Sequence, residues 1–321
     1  MHQGRANADT GSRTTFDVPG ITRNCRKETG VKKFCVITNK SKDSSFETTK
    51  KIETLITSYG GSCVLLGDPL NGVLNSAPEN SKGFDPEHAS VLSDCECVIV
   101  LGGDGTILET SRAIGEMEIP MVGINLGTLG FMSCIEKSRI DYAIKELVED
   151  NFTIENRMLL KVTSSSGNKK STCLALNDVT VTRSGLSRLI KTDVLVNGQA
   201  VGSYSGDGCL VSTPTGSTGY NLSAGGPIVT PEAKLMCITP ICPHTFNSRT
   251  IVVSGDDKVR IVIGEKKKLQ DTESFATIDG QMAVRLGSGD YIDVEQAETV
   301  AKFIRLPGQS YFNVLNLKLN G

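Results

Sequence analysis

The stretch Leu101-Gly-Gly-Asp-Gly-Thr106 follows an apolar run, Cys97-Val-Ile-Val-Leu101, and precedes Ile107 to Ile114, residues that suit a helix. A strand feeding a glycine turn and then a helix is a geometry that handles phosphate. Gly102, Gly103 and Gly105 lack a Cβ, so the backbone there can take positive φ and bring its N–H groups to an anion. The helix N-terminus adds partial positive charge. Asp104 sits in the middle of this cradle and would repel phosphate unless it binds Mg²⁺ or takes a proton from an attacking hydroxyl. The acid therefore points to phosphoryl transfer rather than passive nucleotide binding. The pattern G-x-x-x-x-G-K-[ST] of P-loop NTPases does not occur around it.

A second block, Thr213-Pro-Thr-Gly-Ser-Thr-Gly-Tyr220, follows the apolar strand Cys209 to Ser212. Pro214 ends that strand and Gly216 allows a tight turn. Thr215, Ser217 and Thr218 bring hydroxyls and free N–H groups to the start of a helix, a polar nest for a nucleotide. Between the two blocks, Asn177 and Asp178 interrupt an otherwise apolar strand, where an unpaired charge would be costly.

Together with Asn125-Leu-Gly-Thr-Leu-Gly-Phe131 and Gly206-Asp207-Gly208, these motifs resemble the NAD kinase family in order and spacing, from about residue 31 to the C-terminus. The Gly-Gly-Asp-Gly-Thr loop alone is shared with diacylglycerol and sphingosine kinases. The Thr-Pro-Thr-Gly-Ser-Thr block is narrower. The resemblance implies ATP-dependent phosphorylation of the adenosine-ribose 2′-hydroxyl of NAD to give NADP, with a divalent metal such as Mg²⁺. It assigns the proton-accepting role to Asp104, with metal ligation as the rival or overlapping role, and gives the phosphates to Gly102, Gly103, Gly105 and Thr106. Dinucleotide contacts fall on Asn177, Asp178, Thr215, Thr218, Gly219 and Tyr220. Asp207 matches a family acid near the nicotinamide carboxamide, or else is a turn aspartate. Asp279, in Ile278-Asp-Gly-Gln281, is either a site acid or the turn of a hairpin. The Asn125 to Phe131 segment is read as backbone packing beneath the site, and His244 and Arg249 fit the family pattern without a chemical role. Where the family usually has Asn-Glu, this chain has Asn177-Asp178, one methylene shorter.

With 321 residues and 38% hydrophobic content the chain can bury two moderate cores. A net charge of −2, from 34 basic and 36 acidic residues, implies no broad field for nucleic acid or anionic membrane, so phosphate must be held by local groups. No run approaches ~18 apolar residues, and Met1 to Gly30 lacks the apolar core of a signal peptide, so a cytoplasmic protein is expected. The ten cysteines are scattered, Cys35, Cys63, Cys134, Cys173 and Cys209 among them, and read as reduced thiols. Two other readings stand beside the kinase: a lipid kinase, which would need a basic or apolar docking face, and a non-catalytic nucleotide sensor. The resemblance implies a homodimer or homotetramer.

The expected architecture is an α/β domain with a parallel sheet plus an all-β sandwich. Residues 1–30 are expected to lack order. Residues 31–149 form the α/β domain, with a helix over 42–59, a polar loop over 68–89 and a helix over 106–115. Residues 150–306 form the sandwich, with strands over 154–164, 171–183, 190–196, 207–212, 250–254, 258–263, 273–279, 282–286, 290–294 and 301–305. Residues 307–321 are expected to pack back on the first domain through Phe312, Leu315 and Leu319.

Overall fold

The computed structural model describes residues 21–23, 30–67, 92–133, 135–167, 169–184, 189–244, 248–264 and 274–320. Four parallel strands lie side by side in the order Ser62–Leu66, Lys33–Thr38, Cys97–Gly102, Met121–Asn125. Cys97–Gly102 is buried at all six positions, as a central strand covered on both faces must be. Its side chains alternate between two cores. Ile99 and Leu101 join Phe34 and Val36 against Ile52 and Ile56 of helix Glu47–Ser58 and Ile140, Ile144 and Leu147 of helix Ile140–Val148. Val98 and Val100 join Cys35 and Ile37 against Ile107, Leu108 and Ile114 of helix Asp104–Ile114. The strands' carboxyl ends therefore converge on the Gly-Gly-Asp-Gly-Thr loop, where an open parallel sheet places its ligands.

The second domain is a sandwich. One face is the antiparallel sheet Ile251–Ser254, Leu235–Ile241, Gly208–Ser212, Asp178–Arg183, Ser274–Ile278, Met282–Leu286. Val179, Val181, Val211, Ile238 and Ala276 of that sheet meet Leu160, Val162, Val194, Ile261 and Ile292 from the facing strands. The facing strands are not a separate sheet. Tyr291–Arg305, a single strand of 15 residues, pairs antiparallel with Val259–Ile263 at one end and parallel with Met121 at Phe303 near the other. Thr153–Ser166 follows it antiparallel, with a register shift between Gln296 and Val300. The two strands expected at 290–294 and 301–305 are thus one, and they weld both domains into a 12-stranded sheet.

Other differences have local causes. Helix Ile140–Val148 and strands Gln199–Gly206 and Leu235–Ile241 were not expected. Strand 199–206 is poor in bulky residues, although the turn before it, Asn197 (φ 50°) and Gly198 (φ 79°), carries a hairpin signal. Leu235–Ile241 hides its pattern behind Pro240. The expected strand over 171–183 is two, Lys169–Ala175 and Asp178–Arg183. Within the stretch expected to lack order, Ile21–Arg23 pairs antiparallel with Thr153–Glu155. Residues 1–20 and 24–29, the expected polar loop over 68–89 and Cys134 lie outside the described residues. The C-terminal helix Tyr311–Asn320 buries Tyr311 and Val314, while Phe312 and Leu319 are 63% and 56% exposed. It seats through its first turn, with the Tyr311 ring 6.4 Å from that of Phe131 and the Tyr311 hydroxyl donating to Val229 O.

Beneath the weld, the buried Glu155 carboxylate is held by Arg157 (2.8 Å) and by Arg305. Burial alone would raise its pKa, but the two guanidiniums outweigh burial and hold it below the usual carboxylate range. Removing the acid would leave two guanidiniums buried together. Glu155→Ala is therefore expected to lower the unfolding free energy by about 3–5 kcal/mol in urea denaturation, and a loss under about 1 kcal/mol would contradict this account.

Candidate functional site

Asp104 opens helix Asp104–Ile114, and its carboxylate is gathered by one short segment. Phe131 N donates to Oδ2 at 2.8 Å, while Met132 N, Ser133 N and Ser133 Oγ donate to Oδ1 at 3.1, 2.9 and 3.0 Å. Oδ1 is filled and Oδ2 keeps open acceptor capacity. A Cβ on Gly130 would lie 2.0 Å from Oδ1, so the second glycine segment needs glycine there to reach the acid. Asn125 braces the same segment by bonding to both N and O of Gly127. The scaffolding role expected for 125–131 matches these contacts. None of Gly102, Gly103 and Gly105 has a positive φ; Gly103 is extended (φ −115°). What the loop gains from glycine is room.

That room is taken up by a cation the motifs did not reveal. The Lys42 ammonium stands 3.0 Å from where a Cβ on Gly103 would be and 3.6 Å from the same point on Gly127. Lys42 belongs to the turn after strand Lys33–Thr38, and the turn is pinned at both ends. Asn39 Nδ2 donates to Thr106 Oγ1, Lys42 N and Asp43 N donate to Asn39 O, and the Asp43 carboxylate accepts from Thr48 N and Thr49 N of helix Glu47–Ser58. Thr106 is buried, its hydroxyl engaged with Asn39 beneath the loop.

On the sandwich side, the Thr213–Tyr220 block and the Asn177-Asp178 pair form one unit. Thr213 N donates to Asn177 O, Thr213 Oγ1 to Leu176 O, and Gly216 N to Thr213 Oγ1. A Cβ on Gly216 would sit 2.1 Å from Asn177 O, so only glycine allows this approach. Thr218 Oγ1 donates to Thr215 O, and Gly219 lies against the Asn177 amide and the Asp178 carboxylate. Two buried polar atoms in the unit, Asn177 Oδ1 and Thr215 Oγ1, have no hydrogen-bond partner. Such atoms are costly in a finished core and are what a ligand would satisfy. Tyr220 is 43% exposed beside them.

Asp279 is enclosed rather than presented. In the hairpin turn Asp279 (φ 49°) and Gly280 (φ 67°), its carboxylate accepts from Leu176 N, Asn177 N and Asp178 N at 3.1, 2.8 and 3.2 Å. Its side chain has no solvent exposure, and Arg112 Nη1 stands 3.7 Å away. The geometry therefore makes Asp279 an anchor for the Asn177-Asp178 strand end. Burial pushes its pKa up, against the N–H groups and Arg112. Burial also raises Asp178 to about 7, with the Asp279 charge adding to it and the Thr180 hydroxyl opposing it. Asp207 stands at the corner where the chain passes from one sheet to the other, paired with Arg183 at 2.7 Å. That hydrogen bond holds Asp207 below its usual range. Burial pushes the Tyr220 hydroxyl pKa up, and Cys242, Asp207 and Asp178 add to the shift. His244 donates its backbone N–H to Ser205 O, and Arg249 bonds the adjacent Ser248 O.

Arg112 and Gln281 were not singled out from the sequence either. Gln281 Nε2 donates to Gly105 O at 2.8 Å, and Arg112 Nη2 donates to Gln281 Oε1 at 2.5 Å. The glycine loop of the α/β domain thus touches the sandwich hairpin whose Asp279 anchors the Asn177-Asp178 strand end.

A parallel sheet ending in a glycine loop with an embedded carboxylate, closed by a sandwich carrying a polar nest, defines a two-domain nucleotide phosphotransferase. Residues 16–152 match the ATP-NAD kinase N-terminal domain and residues 176–306 the ATP-NAD kinase C-terminal domain. The chain belongs to the ATP-NAD kinase family. The match begins at residue 16, ahead of the expected residue 31. The chain is 42% identical to the NAD kinase of Lachnoclostridium phytofermentans, covering 90% of this chain and 99% of that protein. It is 36% identical to the NAD kinase of Lachnospira eligens, over 90% and 100%. Its fold resembles that of yeast NADH kinase complexed with NADH (TM-score 0.79, 24% identity, 90% and 88% of the two chains). It also resembles an NAD kinase from Archaeoglobus fulgidus in complex with ATP (TM-score 0.69, 25% identity, 89% and 98%).

The raised Asp178 gives a pH signature. Between its unfolded pKa of about 4 and its folded value of about 7, the folded protein binds more protons than the unfolded chain, so stability falls as pH rises through that window. Asp178→Asn removes the buried charge. Its unfolding free energy is expected to gain about 2–4 kcal/mol on wild type between pH 4 and 8, read by urea denaturation, and parallel curves would contradict the assignment.

Proposed function

We propose that this chain transfers the γ-phosphoryl group of ATP to the 2′-hydroxyl of the adenosine ribose of NAD, giving NADP and ADP. The observation that carries the reading is the contact of the Asp104 loop with the hairpin that anchors the Asn177 strand end, where Asn177 Oδ1 and Thr215 Oγ1 stand unpartnered. Asp104 receives the hydroxyl proton on Oδ2, which holds one hydrogen bond where Oδ1 holds three. Its other bonds fix the carboxylate in place, and positioning is most of what a phosphoryl transfer asks of a protein. The Lys42 ammonium and the N–H groups at the start of helix Asp104–Ile114 take the triphosphate, supplying the local positive charge that a net charge of −2 does not.

A divalent cation such as Mg²⁺ would spread the charge of the transferring group, and such an ion is held mainly by nucleotide phosphates and one or two carboxylates. The hard oxygen Asp104 Oδ2, beside the glycine loop, would fit that demand as the rival to its role as base. On the acceptor side, Asn177 Oδ1 suits the donor edge of an adenine, and Tyr220 offers its ring to base or sugar. Gly219 and Thr218 line the approach, and Asp207 stands at the far rim.

In a coupled assay of NADP formation, Asp104→Asn is expected to lose at least ~10²-fold in kcat with little change in the KM for NAD. Asparagine keeps the bonds to Oδ1 but turns an NH₂ toward Phe131 N, so turnover is normalised to folded protein. Near wild-type turnover would remove Asp104 from the base role. Lys42→Met should raise the KM for ATP about tenfold while the KM for NAD stays within about twofold, as loss of one charged phosphate contact predicts. A change confined to NAD would reassign Lys42 to the acceptor.

A further inference from the structure

Donor and acceptor sit on different domains, whose backbones pair at Phe303 and Met121 and whose side chains share a core in which Leu159, Leu176 and Phe303 join Ile107 and Ile114 of the Asp104 helix. At the site itself a separate polar contact joins them. There, Gln281 reaches from the sandwich hairpin to the carbonyl of Gly105, the residue after Asp104, at 2.8 Å. On its other side it accepts from Arg112, which rises from the same helix as Asp104. Arg112 in turn faces Asp279, whose carboxylate holds the N–H groups of Leu176, Asn177 and Asp178. A series of polar contacts, with a 3.7 Å ion pair between Arg112 and Asp279 as its longest step, runs from the loop beside the base to the strand end beside the dinucleotide.

We infer that Gln281 is a positioning residue, setting the phosphate loop against the dinucleotide block through Gly105 and Arg112. The side chain is chemically suited to both neighbours. A carbonyl requires a donor and a guanidinium an acceptor, and a side-chain amide of this length supplies one of each. Glutamate would satisfy Arg112 but turn a carboxylate oxygen onto Gly105 O. An aliphatic residue would satisfy neither. Gln281 lies in neither the glycine loop nor the Asn177 and Thr213–Tyr220 unit, so its loss should leave both substrates bound and misalign them. A shift near 1 Å in such a site costs on the order of 10²-fold in rate.

The inference rests on the proposed NAD phosphorylation, and the test separates the two. Wild type, Gln281→Leu and Gln281→Glu are compared for NADP formation, for KM of ATP and NAD, and for melting midpoint. A wild type that makes no NADP overturns the functional reading. With an active wild type, both variants are expected to lose ~10- to 100-fold in kcat while each KM stays within about threefold and the midpoint within about 3 °C. Gln281→Glu, which keeps the Arg112 contact, separates loss of the Gly105 bond from loss of the whole bridge and serves if Gln281→Leu does not fold. A kcat within twofold of wild type in Gln281→Glu overturns the inference, as does a raised KM for NAD at unchanged kcat.

Discussion

Four hydrogen bonds converge on the Asp104 carboxylate from three consecutive residues, and much of the site is hung from that junction. They tie the loop after strand Cys97–Gly102 to the loop after its neighbour Met121–Asn125, so two glycine segments that are distant in sequence share one acid. Gly130 must be glycine for the loops to meet, and Phe131, whose N–H completes the set, carries the ring that faces Tyr311 of the C-terminal helix. Three of the four donors fill Oδ1 and one meets Oδ2. A substitution there disturbs the loops as well as the acid, which is why turnover and stability have to be read together.

Each acid is answered by its own local partners: backbone N–H donors hold Asp104, and backbone N–H donors with Arg112 hold Asp279. Asp178 stands out because its compensation is partial. Burial raises its pKa most and the Asp279 charge adds to that, while one hydroxyl donor, Thr180 Oγ1 at 3.1 Å, only partly opposes them. Asp207 shows the opposite case, since one partner, Arg183, is enough to keep it ionised at a half-exposed corner.

What could be read from the sequence follows from what burial does to a pattern. Cys97 to Leu101 is a continuous apolar run because both faces are covered, and the glycine loop after it is unmistakable. Asn177-Asp178 and Thr213–Tyr220 announce themselves as polar groups in apolar company. Lys42 carries no such contrast, because a lysine in a polar turn looks like any solvated lysine until the fold brings Gly103 and Gly127 beneath it. Gln281 sits beside a hairpin turn signal that accounts for Asp279-Gly280 and says nothing of the next side chain. Phe312 and Leu319 mark an amphipathic helix correctly, but spacing alone does not say whether anything faces the stripe, and here Tyr311 and Val314 make the seat.

The strand Tyr291–Arg305 has a consequence for how the chain comes into being. Its partner Met121 lies about 180 residues upstream and Thr153–Ser166 well over a hundred, so the sheet of the first domain closes on that side only after nearly the whole polypeptide is available. During synthesis Ile135–Glu136 covers the Ile124–Asn125 end of that edge, while its Met121 end waits open and exposes peptide groups of the sort that recruit other chains. A fragment cut near residue 150 would keep the Met121 end of that edge unpaired. The two domains share a strand and a core, and Tyr291–Arg305 works as the closing seam between them.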